Sequence, residues 1–285
     1  MPEPAKEKPI LFGCSSLPTA NSCALRWAAN QKKKLLRMAD KGSLAEERLL
    51  TIRDLGFGRA AHLGTAAHKS YEYVLREKLG RDNEGAKSPY ELAERKLVEG
   101  YDNTDDTTKE KIGDLDQGKK HLANLVVSAV EIGNVHKPID TEGQTGYSAG
   151  GLDWAARYDG YLEGMELADV KSHGGPPKWY GSQFGGMALG MEQDGKPVRK
   201  AKQYNLKRNL NRPANITVTE YDIEAQKVLA KNTMLRMANN TEAFLNSGDP
   251  LKFTANPADP LCSPKYCPAW GTRMCPVGKG APNNK

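Results

Sequence analysis

Tyr158-Asp159-Gly160-Tyr161-Leu162-Glu163-Gly164-Met165-Glu166-Leu167-Ala168-Asp169-Val170-Lys171, with its flanks out to Tyr147 and Ser172, alternates apolar and aromatic residues with small or charged ones. That period belongs to a β-hairpin turning at Glu163-Gly164. Asp169 and Lys171, two apart in a strand, point to one face with Cα atoms roughly 6.6 Å apart. Whether Asp159 joins them is a matter of register, because a slip of one residue moves a side chain to the other face. A two-residue loop at Glu163-Gly164 puts Asp159 on the wrong face. A three-residue loop of Leu162, Glu163 and Gly164, with the glycine left-handed, makes it a diagonal neighbour of Asp169 on the right one. Such diagonals lie roughly 7–8 Å apart at the backbone, a span that two carboxylates can close around a hard divalent cation.

Mg²⁺ or Mn²⁺ held there polarises a phosphate and acidifies water beside it, and Lys171 is placed to orient or deprotonate that water. A lone Asp-x-Lys triplet is common on exposed hairpins, so the chemistry depends on what else the chain brings to it.

Outward from the hairpin the period lengthens to that of helices. Arg59 to Leu79 carries Ala61, Gly64, Ala67, Tyr71, Val74 and Leu75 at helical spacing and stops at Gly80. Residues 16 to 40 predict another helix, capped by Ser15, Ser16 or Thr19, in which Cys23, Trp27, Leu35 and Met38 punctuate a basic surface. His121 to Glu131 and Trp179 to Met191 also predict helices, the second despite Gly185 and Gly186, each costing about 1 kcal/mol relative to Ala. Such a cost points to close packing or a bend. Arg199 to Leu206 with Asn215 to Thr219 predict another strand pair, and Ile223 to Phe244 a long amphipathic helix. The polar stretch from 81 to 120 is expected to be an insertion of short helices and loops, with a loop from Asp102 to Thr108. The whole predicts one α/β domain over 1 to 285: a central mixed sheet flanked by helices, a helical N-terminal part and a cysteine-rich segment from 248 to 285.

A chain of 285 residues can bury a substantial core. Its 41 Lys+Arg against 35 Asp+Glu give a formal charge of +6, which suits a polyanionic partner without requiring one. Met1 to Pro9 is charged and proline-bearing with no apolar run behind it, so neither a signal peptide nor a membrane span is expected, and folding in a cytosol is. In that compartment Cys14, Cys23, Cys262, Cys267 and Cys275 are metal ligands or buried thiols rather than disulfides.

Cys262-x4-Cys267-x7-Cys275 lies in a proline-rich segment with no evident core, which a metal cross-link would order. Three ligands need a fourth. Cys23, on the N-terminal helix, is preferred to Cys14, which precedes the helix start and reads as a bystander thiol. Zinc usually takes closely paired thiols, whereas these wider spacings and one distant cysteine place an iron–sulfur cluster of the 4Fe-4S kind ahead of zinc.

In their order and spacing, Ser22-Cys23 on an early helix, Gly64-Thr65-Ala66-Ala67-His68, Tyr158-Asp159, Asp169-Val170-Lys171, Gln183 and the terminal cysteine trio resemble the RecB-like branch of the PD-(D/E)XK nuclease superfamily. The likeness is to its iron–sulfur members in bacteriophages and CRISPR adaptation, and it covers most of the chain. It implies that His68, Asp159 and Asp169 are metal ligands, that Lys171 is the catalytic lysine, and that Gln183 contacts the site or the DNA. Two departures stand out: the tyrosine often found four residues after that glutamine is Met187 here, with Tyr180 nearby, and Tyr158 replaces the proline that names the motif. The activity implied is that of a DNA exonuclease, single-stranded ends favoured, whose cluster pins the C-terminal segment to the N-terminal helix. Its expected setting is a bacterial or phage-infected cytoplasm, as a homo-oligomer or with a recombination partner protein.

Lys32, Lys33, Lys34 and Arg37 form one candidate DNA-contacting face, and Arg199, Lys200, Lys202, Lys207 and Arg208 around Tyr204 form another; each is as apt to be a solvated face. Trp179 and Tyr180 are placed to stack on a displaced base or to pack in the core. Two other readings stand beside the nuclease. One is a non-catalytic DNA-binding or recombination accessory protein, against which intact Asp159, Asp169 and Lys171 argue. The other is a zinc-stabilised interaction module in which the Asp-x-Lys triplet is accidental.

Overall fold

The computed structural model describes residues 9–55, 59–103, 113–175, 178–275 and 277. The loop expected to follow Asp102 falls largely outside them, as do Pro176, Pro177 and the terminal tail. In chain order the elements are β1 (Leu11–Gly13), a 3-10 turn (Cys14–Ser16), α1 (Leu17–Ser22), α2 (Ala24–Asn30), α3 (Lys32–Met38), α4 (Leu44–Leu50), α5 (Arg59–Lys78), α6 (Pro89–Asp102) and α7 (Leu115–Val135). Then come β2 (Pro138–Thr141), β3 (Gln144–Ala149), β4 (Leu152–Arg157), β5 (Gly160–Leu162), β6 (Glu166–His173), α8 (Gly181–Gln193), β7 (Lys200–Lys207), β8 (Asn215–Tyr221), α9 (Ile223–Ser247) and a 3-10 turn (Pro250–Lys252).

The class is mixed α/β, as the alternation of periods predicts, but with two mixed sheets in place of one. The larger has the order β2-β5-β6-β7-β8, with β6 and β7 parallel. The smaller has the order β1-β4-β3, with β1 parallel to β4. The single hairpin expected over Tyr147 to Ser172 is two hairpins. β3 and β4 turn at Gly150-Gly151, both with positive φ, and belong to the small sheet; β5 and β6 turn at Gly164 in the large one. Two consecutive left-handed glycines match the twist of a tight antiparallel turn.

The basic helix expected over 16 to 40 is three short helices. Cys23 breaks it with extended backbone (φ −155°, ψ 106°), and its thiol caps α2 by accepting from Arg26 N at 3.5 Å. Every residue of α2 from Ala24 to Ala29 is buried, so this segment is core rather than a charged surface helix. Trp27 stacks between Phe12 and Trp154, tying the helices to the small sheet. That core also takes in α8, α9 and the cysteine-rich segment. A second core lies between α5–α7 and the large sheet. Leu92, Ala93 and Leu97, within the stretch expected to be an insertion, are buried in α6, the last two in this second core. Tyr71 and Tyr204 grip His136 from either side, at 2.8 and 2.9 Å, and so lock α5 to β7. No helix among the described residues is long and apolar enough to cross a membrane.

The glycines of α8 answer to close packing. A Cβ on Gly185 would stand 2.0 Å from the carbonyl oxygen of Gln226 in α9. Gly185→Ala is therefore expected to lose about 2 kcal/mol of stability net of the helix-propensity gain, read as a lower denaturant midpoint at constant slope. An unchanged midpoint would refute the contact.

Candidate metal centre

Four side chains from three segments meet at one end of the large sheet. β6 supplies Asp169 and Lys171. Asp159 sits where the chain passes from β4 in the small sheet to β5 in the large one, its carbonyl accepting from Thr141 Oγ1 at 2.5 Å. α5 supplies His68 from the middle of its length.

The hairpin between the aspartates has a three-residue loop, one position later than the sequence argument placed it. Leu162 pairs with Glu166 and Gly160 with Ala168, so the loop is Glu163-Gly164-Met165. Gly164 is left-handed as anticipated, and Met165 is too, at φ 61°. Extending that register by one step sets Asp159 directly opposite Asp169, not diagonal to it, on the same face.

His68 Nδ1 lies 3.1 Å from Asp159 Oδ2, and His68 Nε2 3.7 Å from Asp169 Oδ1. Donor atoms of these three residues all fall within 4.8 Å of one another. Asp159 Oδ2 and Asp169 Oδ1 are buried, yet neither accepts a hydrogen bond of normal geometry from any described residue. Buried carboxylate oxygens without donors are costly unless a cation takes them. One imidazole and two carboxylates match the donor set of a hard or borderline divalent ion.

The remaining Asp169 oxygen is occupied. Lys171 Nζ stands 2.6 Å from Asp169 Oδ2, and Gln183 Nε2, from the first turn of α8, donates to the same oxygen at 3.4 Å. Tyr180, the residue capping α8, presents its ring 5.2 Å from the Lys171 ammonium. Trp179 is half exposed and packs edge-on against Tyr221.

The two carboxyls separate in acidity. Burial pushes Asp169 up, and the charge of Asp159 adds to it, bringing the pKa to about 7. Burial opposes the charge on Asp159 as well, but His68 and Lys171 outweigh it and hold that carboxyl well below the usual range. His68 and Lys171 run the other way: burial disfavours their charges, and the aspartates more than restore them, so both are raised.

A groove opens over this group, lined by Gly64, Thr65, His68, Asp159, Lys171 and Ser172, and also by Lys69, Glu72 and Arg157. The last three were not singled out in the sequence. Glu72 follows His68 by four residues in a helix, so their shared face was legible; the approach of Arg157 was not. Of the two basic patches, Lys32 engages the Ile52 carbonyl and Asp54, Lys34 lies over the Phe12 ring, and Lys202 pairs with Glu166 and Glu220.

Cys23, Cys262, Cys267 and Cys275 line one small cavity with Arg26 and Asp259, at the junction of α2 and the terminal segment. Arg26 Nη1 meets Asp259 Oδ1 at 2.6 Å, and Arg53 Nη2 donates to the Cys267 carbonyl at 2.8 Å, so the segment is fastened to the N-terminal helices on both sides. Among the described residues no three cysteine sulfurs come within 4.8 Å of one another. A tetrahedral zinc would draw them to about 3.8 Å. Cys14 lies elsewhere, packed against Gly186 of α8, and burial pushes its thiol up to about 12.

No protein-family model matches the chain, and no curated protein does. Among solved structures, it overlaps a crystal structure of a protein from Eubacterium rectale provisionally named an exonuclease, with a TM-score of 0.44 and 12% identity over 76% of this chain and 77% of that one. A second, of a protein named only by a gene locus, gives a TM-score of 0.31 and 16% identity over 75% and 86%. At these scores the chain's own residues have to carry any conclusion.

Proposed function

We propose that the chain is a metal-dependent deoxyribonuclease of the PD-(D/E)XK type, RecB-like branch, which hydrolyses phosphodiester bonds at DNA ends. The observation that carries this reading is the group of His68, Asp159 and buried Asp169, each carboxyl with a buried oxygen that accepts no hydrogen bond of normal geometry, set beside Lys171 at 2.6 Å from Asp169 and opening on a groove. His68, Asp159 and Asp169 would hold Mg²⁺ or Mn²⁺, which when bound supplies Lewis acidity toward a phosphate and toward water.

The protein groups do the rest. Asp169 fixes Lys171, and Gln183 fixes Asp169, so the ammonium has one position facing the groove. Its proton is kept there against burial by the charges of Asp169 and Asp159. Whatever neutralises those charges leaves burial to push the lysine down, toward the range in which an amine takes a proton from water. The flat Tyr180 ring and the tightly packed first turn of α8 close the site from one side.

The same proposal assigns a 4Fe-4S cluster to Cys23, Cys262, Cys267 and Cys275, supported by the cavity they share. Its role is structural.

End-labelled single- and double-stranded DNA incubated with anaerobically purified protein is expected to be degraded with Mn²⁺ and left intact with EDTA. Asp169 must lose its proton to bind metal, and its pKa stands near 7. The Mn²⁺ concentration for half-maximal rate should therefore climb as pH falls through 7. Cleavage that persists in EDTA would defeat the reading.

A further inference from the structure

Beside the metal triad lies a second group of charges that the mechanism above does not use. Glu142, in the turn between β2 and β3, is a non-glycine residue at φ 54°, a conformation that costs free energy and persists only where surroundings enforce it. Its side chain, 7% exposed, draws three cations together: Lys69 at 2.6 Å, with Arg76 and Arg157 also in contact. Glu72 completes the group through Lys69 and Arg157. Arg76 also meets Glu84 at 3.4 Å, which leaves Lys69 and Arg157 as the cations of the group that reach the groove. Burial, helped by hydrogen bonding to Glu142 and the charge of Asp159, pushes Glu72 up to about 8 and so lowers the negative charge set against them at neutral pH.

Position decides what these two cations serve. Lys69 is next to His68 in α5, and Arg157, the last residue of β4, precedes Asp159 by two residues. Lys69 and Arg157 line the same groove as His68 and Asp159, while Glu142 anchors them from within. Arg157 keeps half of its side chain exposed and also borders the open depression over the small sheet, whose floor includes Gly146 and Ala155. A nucleotide chain with one phosphate at the metal ligands would thus meet fixed cations one step along.

We propose that Lys69 and Arg157, braced by Glu142, form a phosphate subsite for the phosphodiester adjacent to the scissile one. This rests on the nuclease reading for its substrate, though not for its test. Arginine suits the role because its planar fork can keep one edge on Glu142 and turn another to a phosphate. The strained turn at Glu142 holds it ready before substrate arrives.

The test is equilibrium binding of a fluorescent single-stranded oligonucleotide to the full chain in EDTA, measured across a salt series for wild type, Arg157→Gln and Arg157→Lys. Loss of one phosphate contact to a single strand lowers the slope of log affinity against log salt by about 0.7. Arg157→Gln should show that loss with roughly fivefold weaker binding, and Arg157→Lys should recover the slope. A wild-type slope in folded Arg157→Gln overturns the subsite, and so does an Arg157→Lys variant as defective as the glutamine. If Arg157→Gln fails to fold, Lys69→Gln takes its place with the same criterion. Hydrolysis by wild type in Mn²⁺ is scored separately: its absence, with the slope change intact, removes the nuclease reading and leaves the subsite.

Discussion

Lys171→Ala is expected to lower the rate of DNA hydrolysis at saturating Mn²⁺ by about 10²- to 10⁴-fold, the range by which a positioned proton-transfer group speeds a reaction. The lysine meets Asp169 Oδ2, whereas the donor-free oxygen of Asp169 is Oδ1, on the side of His68. Calorimetric Mn²⁺ binding should therefore survive the substitution. Asp169→Asn should lose both. A variant that loses activity together with metal binding would show that Lys171 supports the ligands and does not act on water. A fully active Lys171→Ala would remove the lysine from the chemistry, whereas absence of cleavage by folded wild type that still binds DNA would move the chain to the non-catalytic reading.

Cys267→Ser is expected to have the other large effect. Cys267 is buried, and its carbonyl is held by Arg53, so the position joins two ends of the chain. Protein purified without air should be brown as wild type and colourless as Cys267→Ser, with a thermal midpoint lower by about 10 °C. Cys14→Ser should stay brown, because that thiol lies against α8 and away from the cysteine cavity. A colourless wild type holding zinc would remove the cluster from the proposal and leave the nuclease untouched.

The face shared by Asp169 and Lys171 was legible because strand periodicity is two and needs no long-range information. The turn register was one residue off for a definite reason. Only glycine was expected to take a left-handed conformation, and Met165 takes it as well. Gly150-Gly151 is a strong local turn signal, yet the division of β4 and β5 between two sheets was not readable, since β4 takes its place by pairing with β1 some 140 residues earlier. Such pairings are decided by which distant surfaces remain to be buried. The basic segment at Lys32 to Lys34 concealed the neighbouring α2, which is apolar all round apart from Arg26 and the terminal Asn30. Lys69, Glu142 and Arg157 look like ordinary surface charges in the sequence, and only the fold collects them around Glu72.

The fastening of Arg26 to Asp259 spans 233 residues. A ribosome adding about 5–20 residues per second needs roughly ten to fifty seconds to bridge that interval. Over that interval Trp27 can gather Phe12 and later Trp154, but Cys23 and Arg26 wait for Asp259 and the terminal cysteines. Closure of this end of the molecule therefore waits on synthesis of the segment around Asp259, and until it emerges the nascent N-terminal helices are natural clients of holding chaperones.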